Sequence, residues 1–180
     1  STALRHKLSA RLGVDADDIV TGAGSLGALN QILKTFAGVN ADGVQDEVIY
    51  AWRSFEAYPI LVGIMGARSV QVPNLPDGSH DLDAMAAAIT DRTRLILVCT
   101  PNNPTGPAVT ESQIRAFLEK VPAHIPVVID EAYFEFCAAS TVLEGEEAPL
   151  NGMDIYRDYE NVIILRTFSK AQGLAGLRVG

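Results

Sequence analysis

The sequence predicts an α/β fold: a mostly parallel sheet flanked by helices. Three observations carry this. Continuous apolar, β-branched runs recur along the chain, as expected of strands buried on both faces. Helix-like stretches separate them. The polar and glycine-rich motifs fall directly after the runs, where ligands bind in such sheets.

The elements follow in order. The chain opens, without Met, on a helix-like stretch of mixed polarity from Ser1 to Arg11. Ile19-Val20 predicts a short strand. Longer strands are predicted at Glu47–Ala51, Ser69–Pro73, Leu95–Thr100, Val127–Asp130 and Val162–Arg166. Helices are predicted between them at Ser25–Ala37, Ser54–Met65, Leu82–Ile89, Glu111–Lys120 and Met153–Tyr159. Asp81 and Thr110 stand where N-caps belong. Ser140–Pro149, rich in Pro and Glu, predicts an exposed loop. The last residues, Leu177-Arg178-Val179-Gly180, look like the start of a further strand, so both ends look cut and the chain reads as an internal fragment.

Composition narrows the function classes. With 180 residues, 48% hydrophobic and 20% charged, the chain suits one soluble domain with a sizeable core. A net charge of −8 argues against a nucleic-acid face. No apolar run has the length of a membrane span, and no signal peptide is visible. Cys99 and Cys137 are isolated thiols without metal-ligand spacing, and Cys99 lies in an apolar strand. Nothing calls for a disulfide or a metal, so a cytoplasmic location is expected.

Four segments carry chemistry. Thr21-Gly22-Ala23-Gly24-Ser25-Leu26-Gly27 opens a helix. Its free backbone N–H groups and the helix dipole suit an anion, although a plain tight turn or a dinucleotide site fits the same pattern. No acidic residue closes the next strand near Tyr50–Trp52, where a ribose partner would stand. Thr100-Pro101-Asn102-Asn103-Pro104-Thr105-Gly106 ends a buried strand and points an amide into the strand-end crevice. Val127-Val128-Ile129-Asp130-Glu131-Ala132-Tyr133 sets a carboxylate at the end of an apolar strand, where it needs a partner. A pyridinium N–H is one candidate; a helix cap or a metal is another. Thr167-Phe168-Ser169-Lys170 follows the last strand, with Arg178 eight positions on. Hydroxyls and a guanidinium can hold a phosphate while the amine forms a Schiff base with pyridoxal phosphate. A surface lysine in a turn is the plainer alternative. A further string, Trp52-Arg53-Ser54-Phe55-Glu56-Ala57-Tyr58, brings aromatics to a strand end, to stack on a planar ring or simply to pack.

Together these segments resemble the fold-type-I pyridoxal-phosphate aminotransferases, within them the histidinol-phosphate aminotransferase subfamily. The Trp52–Tyr58 string is most like that of actinobacterial aromatic (phenylalanine) aminotransferases. The resemblance spans nearly the whole chain. It implies that residues 1–180 belong to the large, pyridoxal 5'-phosphate-binding domain, without the small C-terminal domain and the N-terminal arm. It implies Lys170 as the Schiff-base lysine and Asp130 as the partner of the pyridine nitrogen. Asn103 and Tyr133 would contact the ring oxygen, and Phe55 would stack on the ring. Ala23, Gly24 and Ser25 would cradle the phosphate, with Thr167, Ser169 and Arg178 as further ligands. The implied activity is transamination of an amino acid, aromatic by preference, with a 2-oxo acid such as 2-oxoglutarate, in a cytoplasmic homodimer. One departure bears on the substrate: Leu26-Gly27 stands where histidinol-phosphate enzymes commonly carry an acidic pair. The rival expectations are a histidinol-phosphate aminotransferase, a lyase or decarboxylase with the same cofactor site, and a regulator that uses such a domain as a sensor.

Overall fold

Alternation along the buried strands decides which layer each side chain meets. The computed structural model describes residues 2–138 and 147–180. Its strands are β1 (Glu47–Trp52), β2 (Arg68–Pro73), β3 (Thr93–Cys99), β4 (Val127–Asp130) and β5 (Val162–Leu165). Its helices are α1 (Thr2–Leu12), α2 (Gly24–Phe36), α3 (Ala57–Ile64), α4 (Leu82–Ala87), α5 (Glu111–Leu118), α6 (Phe134–Ala138) and α7 (Gly152–Tyr156). All strand pairs are parallel, in the order β2-β1-β3-β4-β5. In β1, Ile49 and Ala51 join a core layer with Ile96, Ile114, Phe117 and Ile129. Val48 and Tyr50 point the other way, into a layer with Leu29, Leu33, Tyr58, Val62, Leu97 and Val128. The first layer is closed mainly by α4, α5 and α7, the second by α2 and α3. Both faces are covered, as the continuous apolar runs require.

The order β2-β1-β3 means that the winding reverses beside β1. Such a reversal opens a crevice at the carboxyl ends of the central strands. The loops after β1 and β3 bound it, and one buried side chain ties them together. Asn102 donates through Nδ2 to Arg53 O at 2.9 Å and to Thr105 Oγ1 at 2.6 Å, and its Oδ1 accepts from the Ser54 hydroxyl.

The five long strands lie where the sequence puts them, within two residues at each end. Ile19-Val20 forms no strand: Ile19 closes a 3-10 turn over Ala16–Asp18, and Val20 is exposed. Two β-branched residues are too few to hold a ladder without a neighbouring edge. The helix expected from Ser54 begins at Ala57, because Ser54 is committed to Asn102. The short α6 was not anticipated. Most of the Ser140–Pro149 loop lies outside the described residues; Glu147 and Ala148 at its end are exposed. Among the described residues no helix is long and apolar enough to cross a membrane.

Both N-caps form. Asp81 accepts from Ala84 N at 2.9 Å. Thr110 builds a capping box: its hydroxyl accepts from Gln113 N, and Gln113 Oε1 accepts from Thr110 N at 2.9 Å. Replacing Thr110 by Ala is expected to cost about 1 kcal/mol in urea unfolding. An unchanged midpoint would mean that the box adds nothing to the contacts already made by α5.

Candidate active site

The parity of β4 sorts its two terminal acids. Asp130 lies two residues beyond Val128 and therefore faces the α2–α3 layer; Glu131 turns to the opposite side. There Glu131 accepts from Gly152 N at 2.7 Å and from Arg166 Nε at 2.8 Å, and the Arg166 guanidinium also stacks 4.2 Å from the Phe134 ring centroid. This pairing anchors the start of α7 to the end of the sheet. It went unread in the sequence, although alternation past β4 already separates the two acids.

Four acidic residues are buried among the described residues: Asp46, Glu47, Asp130 and Glu131. Glu47 is met by Arg68 and Arg92, Asp46 by Arg94 and Glu131 by Arg166. Asp130 alone has no cation. Its Oδ2 accepts from Tyr58 Oη at 2.7 Å, and its Oδ1 accepts from Ala132 N at 3.2 Å. Burial raises its pKa above the ordinary carboxylate value, against the opposing pull of those two donors. The neighbouring Cys99 thiol, across the β3–β4 register, is pushed up to about 12, chiefly by burial, and stays protonated. A carboxylate so placed is costly alone and suited to a cationic N–H. No group of three or more His, Cys, Asp or Glu side chains that could hold a metal ion occurs among the described residues.

The N-terminus of α2 lies on the same layer. Its cap residue, Ala23, makes no side-chain cap, and an uncapped helix start suits an anion. Gly24 has φ +71°, and a Cβ there would lie 2.5 Å from Arg178 Nη2. Arg178 is brought in by the end of the chain. Gly22 N donates to Gly180 O at 2.9 Å, and Val179 bridges Ala23 and Gly24. The expected further strand is thus represented here by bridges alone. Ser25 is half-buried at the helix start, and Thr167, buried after β5, accepts from Ser169 N at 3.1 Å. Glycines and a guanidinium therefore converge on an uncapped helix end.

The remaining expected residues lie along the same strand-end edge. Lys170 is exposed, with Nζ 5.1 Å from the Tyr133 ring centroid. Phe55 stands half-buried before α3, edge-on to Tyr58 at 5.7 Å. Asn103 is half-buried in the loop after β3, beside Asn102, which does the structural work of that loop. Tyr58, the last aromatic of the Trp52–Tyr58 string, is the hydrogen-bond donor to Asp130.

An Asp130→Asn protein without cofactor should be more stable than the unsubstituted protein at neutral pH. The amide can donate to Tyr58 Oη and accept from Ala132 N without a buried charge. Because folding raises the Asp130 value, the aspartate is tolerated fully only below the unfolded value of 3.8, and its stability falls as pH rises above it. The gap in Tm should therefore open from about pH 4 upward. A gap that narrows with rising pH would contradict the assignment of an uncompensated buried charge.

Residues 1–180 match the family model for aminotransferase class I and II. The chain is 55% identical over 179 residues to an aromatic amino acid aminotransferase of Streptomyces coelicolor, covering 99% of this chain and 46% of that protein. It is 50% identical over 178 residues to one from Rhodococcus opacus, with 99% and 46% covered. Among solved structures it is similar to a histidinol-phosphate aminotransferase from Sinorhizobium meliloti in complex with pyridoxal-5'-phosphate. There the TM-score is 0.79 at 30% identity, over 98% of this chain and 45% of that one. The chain spans about half the length of these relatives. On this fold, a family match along the whole chain leaves one assignment: the chain belongs to the class I and II aminotransferases.

Proposed function

We propose that the chain is the cofactor-binding part of a pyridoxal-phosphate-dependent aminotransferase acting on aromatic amino acids. The observation that carries the cofactor is Asp130, the one buried carboxylate without a cation among the described residues, facing the same layer as an uncapped helix start. A pyridinium and a phosphate on one small molecule would answer both. The cofactor, when bound, supplies an aldehyde for the substrate amine and a ring that accepts electrons from the substrate Cα.

The chain's own residues then have distinct tasks. Asp130 holds the ring nitrogen protonated. Ala23, Gly24 and Ser25 offer backbone N–H groups to the phosphate, with Arg178, Thr167 and Ser169 completing the shell. Phe55 packs on the ring, and Asn103 and Tyr133 steady its oxygen. Lys170 Nζ would anchor the cofactor and, once released, would move the proton from the substrate Cα to the cofactor carbon. A 2-oxo acid, 2-oxoglutarate by expectation, closes the second half-reaction. The homodimer and the cytoplasmic location belong to this same reading.

The aromatic preference rests on the curated relatives and on charge. Histidinol phosphate is a dianion that needs several cations. Within the described residues Arg178 serves the cradle, and Arg53 is paired with Glu56 at 2.8 Å and lies over Trp52. The fold likeness to histidinol-phosphate aminotransferases keeps that donor as the second reading.

In the full-length protein, borohydride reduction should fix the cofactor on the peptide that contains Lys170. Label on another lysine, or on none, would reject the anchor. With 2-oxoglutarate as acceptor, kcat/KM should favour phenylalanine or tyrosine over histidinol phosphate by at least tenfold, about 1.4 kcal/mol of transition-state binding. The reverse preference would overturn the donor and leave the aminotransferase reading standing.

A further inference from the structure

We infer that Tyr58 is a positioning residue for Asp130: its buried hydroxyl fixes the carboxylate and keeps it ionised without neutralising it. The inference rests on the reading that Asp130 faces the cofactor's ring nitrogen.

The two side chains are 72 residues apart in sequence and 2.7 Å apart at their oxygens. Both are buried, Tyr58 completely. Tyr58 cannot swing away: its ring stands edge-on to Tyr50 at 5.5 Å and to Phe55 at 5.7 Å, and the first turn of α3 fixes its backbone. The titratable groups facing Asp130 are Tyr58 from α3 and the Cys99 thiol from β3. Glu131, next in sequence, is turned away and spent on Arg166 and Gly152.

The chemistry of the donor is the point. A lysine or arginine in place of Tyr58 would form an ion pair and quench the charge that the ring nitrogen needs. An apolar residue would leave only Ala132 N to oppose burial and shift Asp130 toward its neutral form. A phenol lies between these limits. It stabilises the anion by a charge-assisted hydrogen bond yet brings no charge of its own. Its own ionisation is pushed well above the ordinary value, first by burial and then by Asp130, so it remains a donor throughout the working range. It occupies one site on Oδ2 while Ala132 N occupies one on Oδ1, which leaves acceptor capacity on both oxygens for a ligand N–H.

The test is equilibrium binding of pyridoxal phosphate to the full-length apoenzyme, followed by absorbance across the acid range. Tyr58→Phe keeps the ring contacts and removes only the donor. It should weaken binding about tenfold at neutral pH, and the pH at which affinity fails on acidification should move upward, because Asp130 then protonates more readily. Replacing Tyr58 by 3-fluorotyrosine, a stronger donor, should move that pH downward, and it keeps the inference testable should the phenylalanine variant fail to fold. Val62→Ala, a buried change on the same helix, should lower Tm and leave the pH profile in place. Tyr58 variants that bind with the unsubstituted profile, or shift it no more than Val62→Ala does, would overturn the inference. Asp130→Ala separates the two readings. If it also binds with an unchanged profile, the pairing of Asp130 with the ring nitrogen is wrong; if it alone changes the profile, only the role of Tyr58 is.

Discussion

The site is organised around a negative charge that the fold buries and does not cancel. Asp46, Glu47 and Glu131 each meet an arginine; Asp130 meets a phenol and a backbone N–H. Burying a carboxylate costs several kcal/mol unless a partner offsets it. The molecule accepts that cost at the carboxyl edge of β4, where a parallel sheet receives ligands. The same structure that positions Asp130 there also opposes its ionisation, so a cationic partner would offset what burial costs.

The second pole of the site is made of backbone. An uncapped α2, a left-handed Gly24 and the close pairing of Gly22 with Gly180 let Arg178 approach where any side chain would intrude. The two poles are held in register by the layer they share. α2 and α3 pack on one face of the sheet, α2 presenting its N-terminus and α3 presenting Tyr58. Asn102, bridging the loops after β1 and β3, fixes the wall between them.

Much of this was legible from the chain because it depends on local pattern. Apolar runs rich in β-branched residues located the sheet, and Asp130 was conspicuous as a polar residue ending one such run, Lys170 as a lysine in the loop after another. What escaped depends on tertiary register. Ile19-Val20 has the composition of a strand but no neighbouring edge to pair with. Asn102 and Asn103 are alike in sequence, and only the folded loop shows that the first is a structural tie. Tyr58 reads as one aromatic among several until α3 is laid across β4. Glu131 could have been separated from Asp130 by alternation alone.

The central claim is that Asp130 exists to keep a ring nitrogen protonated. Its most direct test is the 15N chemical shift of cofactor labelled at the pyridine nitrogen and bound to the full-length enzyme. The account predicts the shift of a protonated nitrogen at neutral and mildly alkaline pH, and an unprotonated one in Asp130→Ala. An unprotonated nitrogen in the unsubstituted enzyme would contradict it.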